Sequence, residues 1–306
     1  MKQKQVMTNA LLGAAAAVVV MGITTTAATA TEPCGDLGEC KVLIELNTTD
    51  GDIGFHFLVD GDDLVKMEGM NPDGKKFFKA DAKKELREQF MTETFVESAE
   101  PLCFDDGEDF VTLEEFLERW SPGTYTFKGK ADEGEKPKGE TELTHYLPAA
   151  PAELEFDGSV ISWEPGDDLG ECADYAKLAD LVTAEVLPEH PEDVTVAAWE
   201  VVFEPDVEVD EEDFVGTEEE LEAALAAAEA LGKLKFTIRV AGDFQDPEYL
   251  PFTVTVPAEY LASLPPDTPA KIEVGAIGAD DNASFTEEVD ICVNGDGCVF
   301  DDDDED

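Results

Sequence analysis

Residues 41–60 read KVLIELNTTDGDIGFHFLVD, and two alternating runs within them set the fold class. Val42, Ile44 and Leu46 are apolar at every second place, and so are Ile53, Phe55 and Phe57. A period of two marks a strand with one buried face, so the stretch predicts two strands around a turn at Asn47 to Gly51. Leu64 to Met70 and Lys76 to Ala80 predict further short strands. Between them, Asn71-Pro72-Asp73-Gly74 is a turn: proline fixes φ at its second place and glycine tolerates positive φ. Thr92 to Ser98 adds a strand. Leu113 to Arg119 predicts a short helix, with Thr112 as N-cap and Glu115 completing a capping box. Thr124 to Gly129 and Glu140 to Tyr146 then read as a hairpin.

Leu147-Pro148-Ala149-Ala150-Pro151 reads as a short, stiff joint. Beyond it the strand pattern restarts at Val160 to Trp163, Val194 to Phe203, Leu234 to Ala241, Phe252 to Val256, Lys271 to Ile277 and Phe285 to Cys292. Two helical segments interrupt it. Tyr175 to Val186 has helical spacing. Thr217 to Leu231 carries a capping box in Thr217 and Glu220, with Gly232 as its stop. Asp206 to Asp213 is an acidic loop.

Ile161-Ser162-Trp163-Glu164-Pro165, Trp199-Glu200-Val201-Val202-Phe203 and the run Leu264 to Ala276 (LPPDTPAKIEVGA) together resemble a fibronectin type III module. The three pieces stand for its second, third and sixth strands. Asp267 stands where the family has glycine, and Ala270 replaces its corner tyrosine. Two inserts, at about 167–192 and 206–231, depart from the module. The resemblance implies an immunoglobulin-like sandwich over half the chain and no particular activity. The first half resembles a domain of exported bacterial proteins of unknown role, through Glu45 to Gly54, Phe95 to Pro101 and Gly123 to Phe127. The expected architecture is mostly β: two tandem β-sandwich domains, the second fibronectin type III-like with two helical insertions.

The chain has 306 residues, 73 Asp+Glu and 20 Lys+Arg, for a net charge of −53. Such a chain offers no polyphosphate backbone the lysines and arginines it needs, which excludes nucleic acid, and no polybasic patch for anionic lipid. Lys2 and Lys4, the apolar run Ala10 to Ile23 and the Ala28-Thr29-Ala30 pattern predict a signal peptide over 1–30. The run is shorter than the ~20 residues a membrane span takes. The predicted layout is therefore a signal peptide (1–30), an N-terminal β-sandwich domain (31–147), a fibronectin type III-like domain (148–300) and an acidic tail (301–306). The protein is expected to be secreted, periplasmic or at the cell surface, without membrane insertion.

Cys34, Cys40, Cys103, Cys172, Cys292 and Cys298 are an even set in an exported chain and read as disulfides. Cys34 with Cys40 and Cys292 with Cys298 form close pairs around glycines. Cys103 with Cys172 follows by elimination, with Cys172 to Cys292 as the alternative. No C-x-x-C occurs and His56, His145 and His190 are scattered, so no zinc site is expected.

Asp50, Asp52, Asp60, Asp62 and Asp63 lie beside strands and are candidate calcium ligands, since calcium takes hard oxygen donors. Asn294 and Asp296 fall in the last cysteine loop. The stretch 105–116 (DDGEDFVTLEEF) fails the EF-hand pattern, with Phe104 at the first ligand place and Asp109 at the required glycine. Lys66, Lys75, Lys76, Lys79, Lys83, Lys84 and Arg87 form a basic cluster that reads as a solvated face or as a docking patch for an acidic partner. Trp120, Trp163 and Trp199 could stack on sugars, but Trp163 and Trp199 sit in predicted core strands and the core reading is favoured. Asn47-Thr48-Thr49 and Asn282-Ala283-Ser284 match glycosylation sequons by pattern. No G-x-S-x-G and no phosphate-binding glycine loop occurs. The reading is a non-catalytic interaction protein that binds an extracellular protein or polysaccharide. A calcium-dependent structural or adhesive protein is the alternative, and an extracellular hydrolase ranks third. No cofactor other than calcium is expected.

Overall fold

The computed structural model describes residues 34–103, 110–207, 209, 214–245, 249–298 and 300, without the side chains of 174–176. The predicted signal peptide and acidic tail lie outside these residues, as do parts of the 105–116 stretch and of the 206–213 loop. Among the described residues no helix is long and apolar enough to cross a membrane.

The first half contributes β1 (Glu39–Asn47), β2 (Asp52–Met70), β3 (Lys76–Asp81), α1 (Lys84–Gln89), β4 (Met91–Glu97), α2 (Leu113–Arg119), β5 (Gly123–Ala131) and β6 (Lys138–Leu143). The stretch Leu64 to Met70, expected as a separate strand, is the second arm of the 19-residue β2. Register shifts fall at Asp60/Leu64 and Leu64/Lys66, and Asp63 sits at φ 51, so the strand bends there. Its first arm pairs with β1 and β4, and its second with β5 and β3. One strand thus serves both sides of an aromatic core. Phe57 of the first arm meets Phe127 of β5 at 5.5 Å and Phe77 of β3 at 5.6 Å between ring centroids. The half-buried Trp120 stacks on Phe55 at 3.8 Å. The helix α2 adds Leu113, Phe116 and Leu117, and the Thr112 hydroxyl accepts from the Glu115 amide as expected of the N-cap.

The second half contributes β7 (Ala152–Phe156), β8 (Val160–Glu164), α3 (Glu171–Ala176), α4 (Leu178–Thr183), β9 (Val196–Pro205), α5 (Glu218–Gly232), β10 (Phe236–Ala241), β11 (Phe252–Thr255), α6 (Ala258–Leu261), β12 (Thr268–Gly278) and β13 (Ala283–Val293). Its sheets run β11-β8-β7 and β10-β9-β12-β13. Lettered in chain order as A, B, C, C′, E, F and G, the strands divide ABE against C′CFG. This is the sandwich that the fibronectin type III resemblance implies, and the second half is a fibronectin type III-like module. Trp163 and Trp199 lie in its core, with ring centroids 5.8 Å apart. Ala270 leaves no corner tyrosine, but Tyr260 of α6 donates its hydroxyl to the Phe203 carbonyl at 3.1 Å and ties the strands from another position. The helix predicted over 175–186 is broken at Lys177, whose φ of 50 separates α3 from α4. The capping box of α5 is present, and no residue of that helix is fully buried.

The two halves share one sheet. β1 pairs in parallel with β13, which joins them into ten strands ordered β10-β9-β12-β13-β1-β2-β5-β6, with β3 and β4 also on β2. The described residues fall in one compact unit that spans the expected joint. The insert before β9 completes the first core, because Leu169, Leu178, Leu181 and Leu187 bury against it. Gly170 makes the close approach possible: a Cβ there would stand 2.5 Å from the Thr48 carbonyl oxygen. The disulfide Cys103–Cys172 binds the insert to the first half across a sequence separation of 69. Cys34–Cys40 and Cys292–Cys298 close the two short loops. All three expected pairings are present, and Cys172 does not meet Cys292.

Two buried polar side chains hold the junction. Asn282, fully buried, accepts from the Ile44 amide at 2.8 Å and donates to the Thr144 and Tyr146 carbonyls at 3.1 and 3.2 Å. The sequon at Asn282 is therefore closed to glycosylation in the folded chain. His145 places Nδ1 3.0 Å from the Val186 carbonyl and Nε2 3.0 Å from the Trp120 carbonyl, so it links the insert to the end of α2.

Candidate functional site: a carboxylate face across the shared sheet

Strand alternation gives the long sheet two faces. One carries the cores. The other runs from β10 to β4 and gathers carboxylates: Glu200 and Glu204 of β9, Glu273 of β12, Glu287 of β13, Glu45 of β1, Asp52 of β2 and Glu97 of β4. The register sets their order. Glu200 stands beside Gly275, Gly275 beside Phe285, Phe285 beside Asn47, and Asn47 beside Asp52. Each strand places its acids at alternate positions, opposite the core residues that drive its burial. At the centre is a cavity of about 170 Å³ lined by Glu45, Asn47, Asp52, Glu97, Glu100, Glu273 and Phe285.

These acids are partly withdrawn from water, and they crowd one another. Burial raises the Asp52 carboxyl to about 6, and the charges of Glu100 and Asp50 push the same way. Burial raises Glu273 to about 7, helped by its hydrogen bond to Glu287 and by that group's charge. Glu45 also lies above the ordinary range, first through burial; His56 pulls it down while Glu100, Glu97 and Glu200 push it up. Cations are few here. Lys271 reaches Glu287 at 3.4 Å and Glu204 at 3.9 Å, and Lys235 reaches Glu204 at 3.1 Å.

His56 stands within this face on β2, directly opposite Glu97 of β4. Its side chain is 6% exposed. Nδ1 lies 3.9 Å from Glu45 Oε2, and Nε2 lies 3.4 Å from Glu100 Oε1 and 4.0 Å from Glu97 Oε1. The other histidines are placed differently: His145 lies between two carbonyls and His190 beside Glu192.

The five candidate calcium ligands fall into two groups. Asp50 accepts from Asn47 Nδ2 at 2.7 Å, and Asp52 lines the carboxylate cavity. Asp60, Asp62 and Asp63 lie at the bend of β2 and line a cleft of about 630 Å³ with Asp36, Glu133 and Glu135. Eight steps along the strand, about 26 Å at ~3.3 Å each, separate Asp52 from Asp60. Asn294 of the last cysteine loop is occupied structurally, since its Nδ2 donates to the Leu261 and Leu264 carbonyls at 2.7 and 3.0 Å. The basic cluster is largely paired with local acids. Lys66 and Lys76 both bind Glu68 and hold its carboxyl at about 2, while Lys79 binds Asp81 and Arg87 binds Asp132.

No local pattern marks the carboxylate face as a whole, because its members come from strands far apart in the chain. One local signal was present: His56 breaks the outward side of an otherwise apolar strand, between Phe55 and Phe57.

No known sequence family and no curated protein matches the chain. Among solved structures it is similar to a segment of two fibronectin type III domains from chicken tenascin, at 9% identity over 83% of this chain and 97% of that one, with a TM-score of 0.21. It is also similar to a bacterial ice-binding adhesin, at 11% identity over 87% of this chain and 66% of that one, with a TM-score of 0.21. A tandem-repeat extending region of a large adhesion protein matches at 10% identity over 83% of this chain and 49% of that one, with a TM-score of 0.22. These likenesses are too low to add to what the strand order shows.

Proposed function

We propose that the protein is a non-catalytic, secreted or cell-surface interaction protein whose carboxylate face receives an extracellular protein or polysaccharide. The observation that supports this reading is the raised position of Glu45, Asp52 and Glu273 on one continuous face. Half-buried carboxylates that repel one another are relieved when a positive group arrives, so the face favours a partner bearing amines or guanidiniums. A basic segment of a protein and an amine-bearing polysaccharide both meet that requirement.

The test is titration calorimetry with an oligolysine peptide, chitosan oligomers and a neutral glucan, on the wild type and on Glu97→Lys/Glu204→Lys. Binding of a cationic probe that weakens at least tenfold in the variant supports the reading. Equal binding by wild type and variant, or binding of the neutral glucan alone, overturns it.

A calcium-dependent structural or adhesive role is the second reading. The convergence of Asp36, Asp60, Asp62 and Asp63 on one cleft favours it. A large rise in melting midpoint at sub-millimolar calcium, absent with magnesium, supports that role, and no rise refutes it.

A further inference from the structure

His56 shows what the carboxylate face holds at its deepest point. A neutral imidazole donates from one nitrogen and offers a lone pair at the other. Carboxylates face both nitrogens: Glu45 Oε2 lies 3.9 Å from Nδ1, and Glu100 Oε1 and Glu97 Oε1 lie 3.4 and 4.0 Å from Nε2. With the proton on Nδ1, the Nε2 lone pair faces Glu97 Oε1 and Glu100 Oε1; with the proton on Nε2, neither carboxylate is placed to accept it. Nε2 is buried and has no hydrogen-bond partner. A lone pair facing two carboxylate oxygens is repulsive unless a positive centre lies between them.

The spacing fits a metal ion. The ligand atoms of His56, Glu97 and Glu100 all lie within 4.8 Å of one another. Bonds of about 2.1 Å in a tetrahedron put neighbouring ligand atoms about 3.4 Å apart. Nε2 and Glu100 Oε1 already stand at 3.4 Å. Glu97 Oε1, at 4.0 Å, belongs to a side chain that is 51% exposed and has room to swing inward. Gly54 keeps the adjoining space open: a Cβ there would stand 2.7 Å from His56 Nε2 and 2.9 Å from Glu100 Oε1.

We infer that His56 Nε2, Glu97 and Glu100 form a binding site for a zinc-class divalent ion, with Glu45 orienting the imidazole through Nδ1. One nitrogen and two carboxylate donors suit zinc, whereas calcium takes about six to eight oxygens. A carboxylate on the far nitrogen is the usual outer support of a metal-bound histidine. The site is distinct from the aspartate cleft at the bend of β2 and does not depend on whether the face also binds a partner.

The test is zinc titration of the disulfide-intact chain by calorimetry, with ¹⁵N imidazole NMR. The chain has only 3 histidines, so each signal is assignable. The expected result is one tight equivalent of zinc, a shift confined to His56 Nε2, and no displacement by millimolar calcium. Glu97→Gln/Glu100→Gln, at side chains exposed enough to leave the fold intact, weakens that equivalent at least 100-fold. Glu259→Gln on α6 leaves it unchanged. Undiminished zinc binding in the double variant, several weak equivalents only, or displacement by calcium overturns the assignment.

Discussion

Glu273→Gln tests the electrostatics of the carboxylate face directly. Glu273 is half-buried on β12, opposite Glu287, and its carboxyl is raised from 4.5 to about 7. A raised carboxylate pKa means that the folded chain holds a proton the unfolded chain has released. The contribution is therefore fully favourable below pH 4.5, is lost between pH 4.5 and 7, and stays lost above. At about 1.36 kcal/mol per unit, an interval of about 2.5 units corresponds to roughly 3 kcal/mol, and solvent access to a half-buried pair reduces that to about 1–2 kcal/mol. Glutamine carries no charge and still donates a hydrogen bond to Glu287, so the variant escapes the loss. Unfolding entropy of about 2.1 cal/mol/K per residue makes 1 kcal/mol worth about 2 °C in a chain of this size. Calorimetric melting of wild type and variant at pH 4 and pH 8 is the assay. The variant is expected to match the wild type at pH 4 and to melt about 2–4 °C higher at pH 8. An equal difference at both values, or a variant that melts lower at pH 8, refutes the reasoning.

Replacing Cys103 and Cys172 by serine releases a loop of sequence separation 69, which corresponds to about 4 kcal/mol of unfolded-chain entropy; denaturant titration should show a large fall in midpoint. Asn282→Ala leaves the Ile44 amide and the Thr144 and Tyr146 carbonyls without their partner and is expected to cost about 3 kcal/mol by the same titration. Gly170→Ala drives a methyl group against the Thr48 carbonyl at a φ of 56, and should destabilise by about 1–3 kcal/mol while Gly232→Ala, whose Cβ meets nothing within 4 Å and whose φ is not positive, costs less.

The parts of this fold that are local in sequence were legible. Alternation around Phe55 gave β1 and the first arm of β2, and the Thr217–Glu220 box gave α5. Glycine-flanked cysteine spacing gave both short disulfides. Leu64 to Met70 looks like a strand of its own; it continues β2 because Leu64 and Met67 are pulled into the same core as the first arm. Leu147 to Pro151 looks like a boundary because two prolines in five residues mark a short, stiff connector. What crosses it is the pairing of Glu45 with Ala283 and Asn47 with Phe285, contacts between segments more than two hundred residues apart that leave no local trace. The helical spacing over Tyr175 to Val186 marks an apolar face without saying which core it covers. The acids of the candidate site looked like solvated strand faces, one strand at a time, and only the assembled sheet places them together.

The parallel pairing of β1 with β13 also fixes how the molecule bears load. The first and last strands of the sheet run side by side in the same direction, bonded where β1 ends and β13 begins. Tension applied at the start of β1 and the end of β13 therefore pulls along both strands and shears all their bonds together, instead of peeling them one after another. The short disulfide loops Cys34–Cys40 and Cys292–Cys298 sit at those two points of attack. A chain held by its two ends would resist extension at this seam first, with its sandwich, its bent strand and its carboxylate face lying within the length of chain that the seam shields.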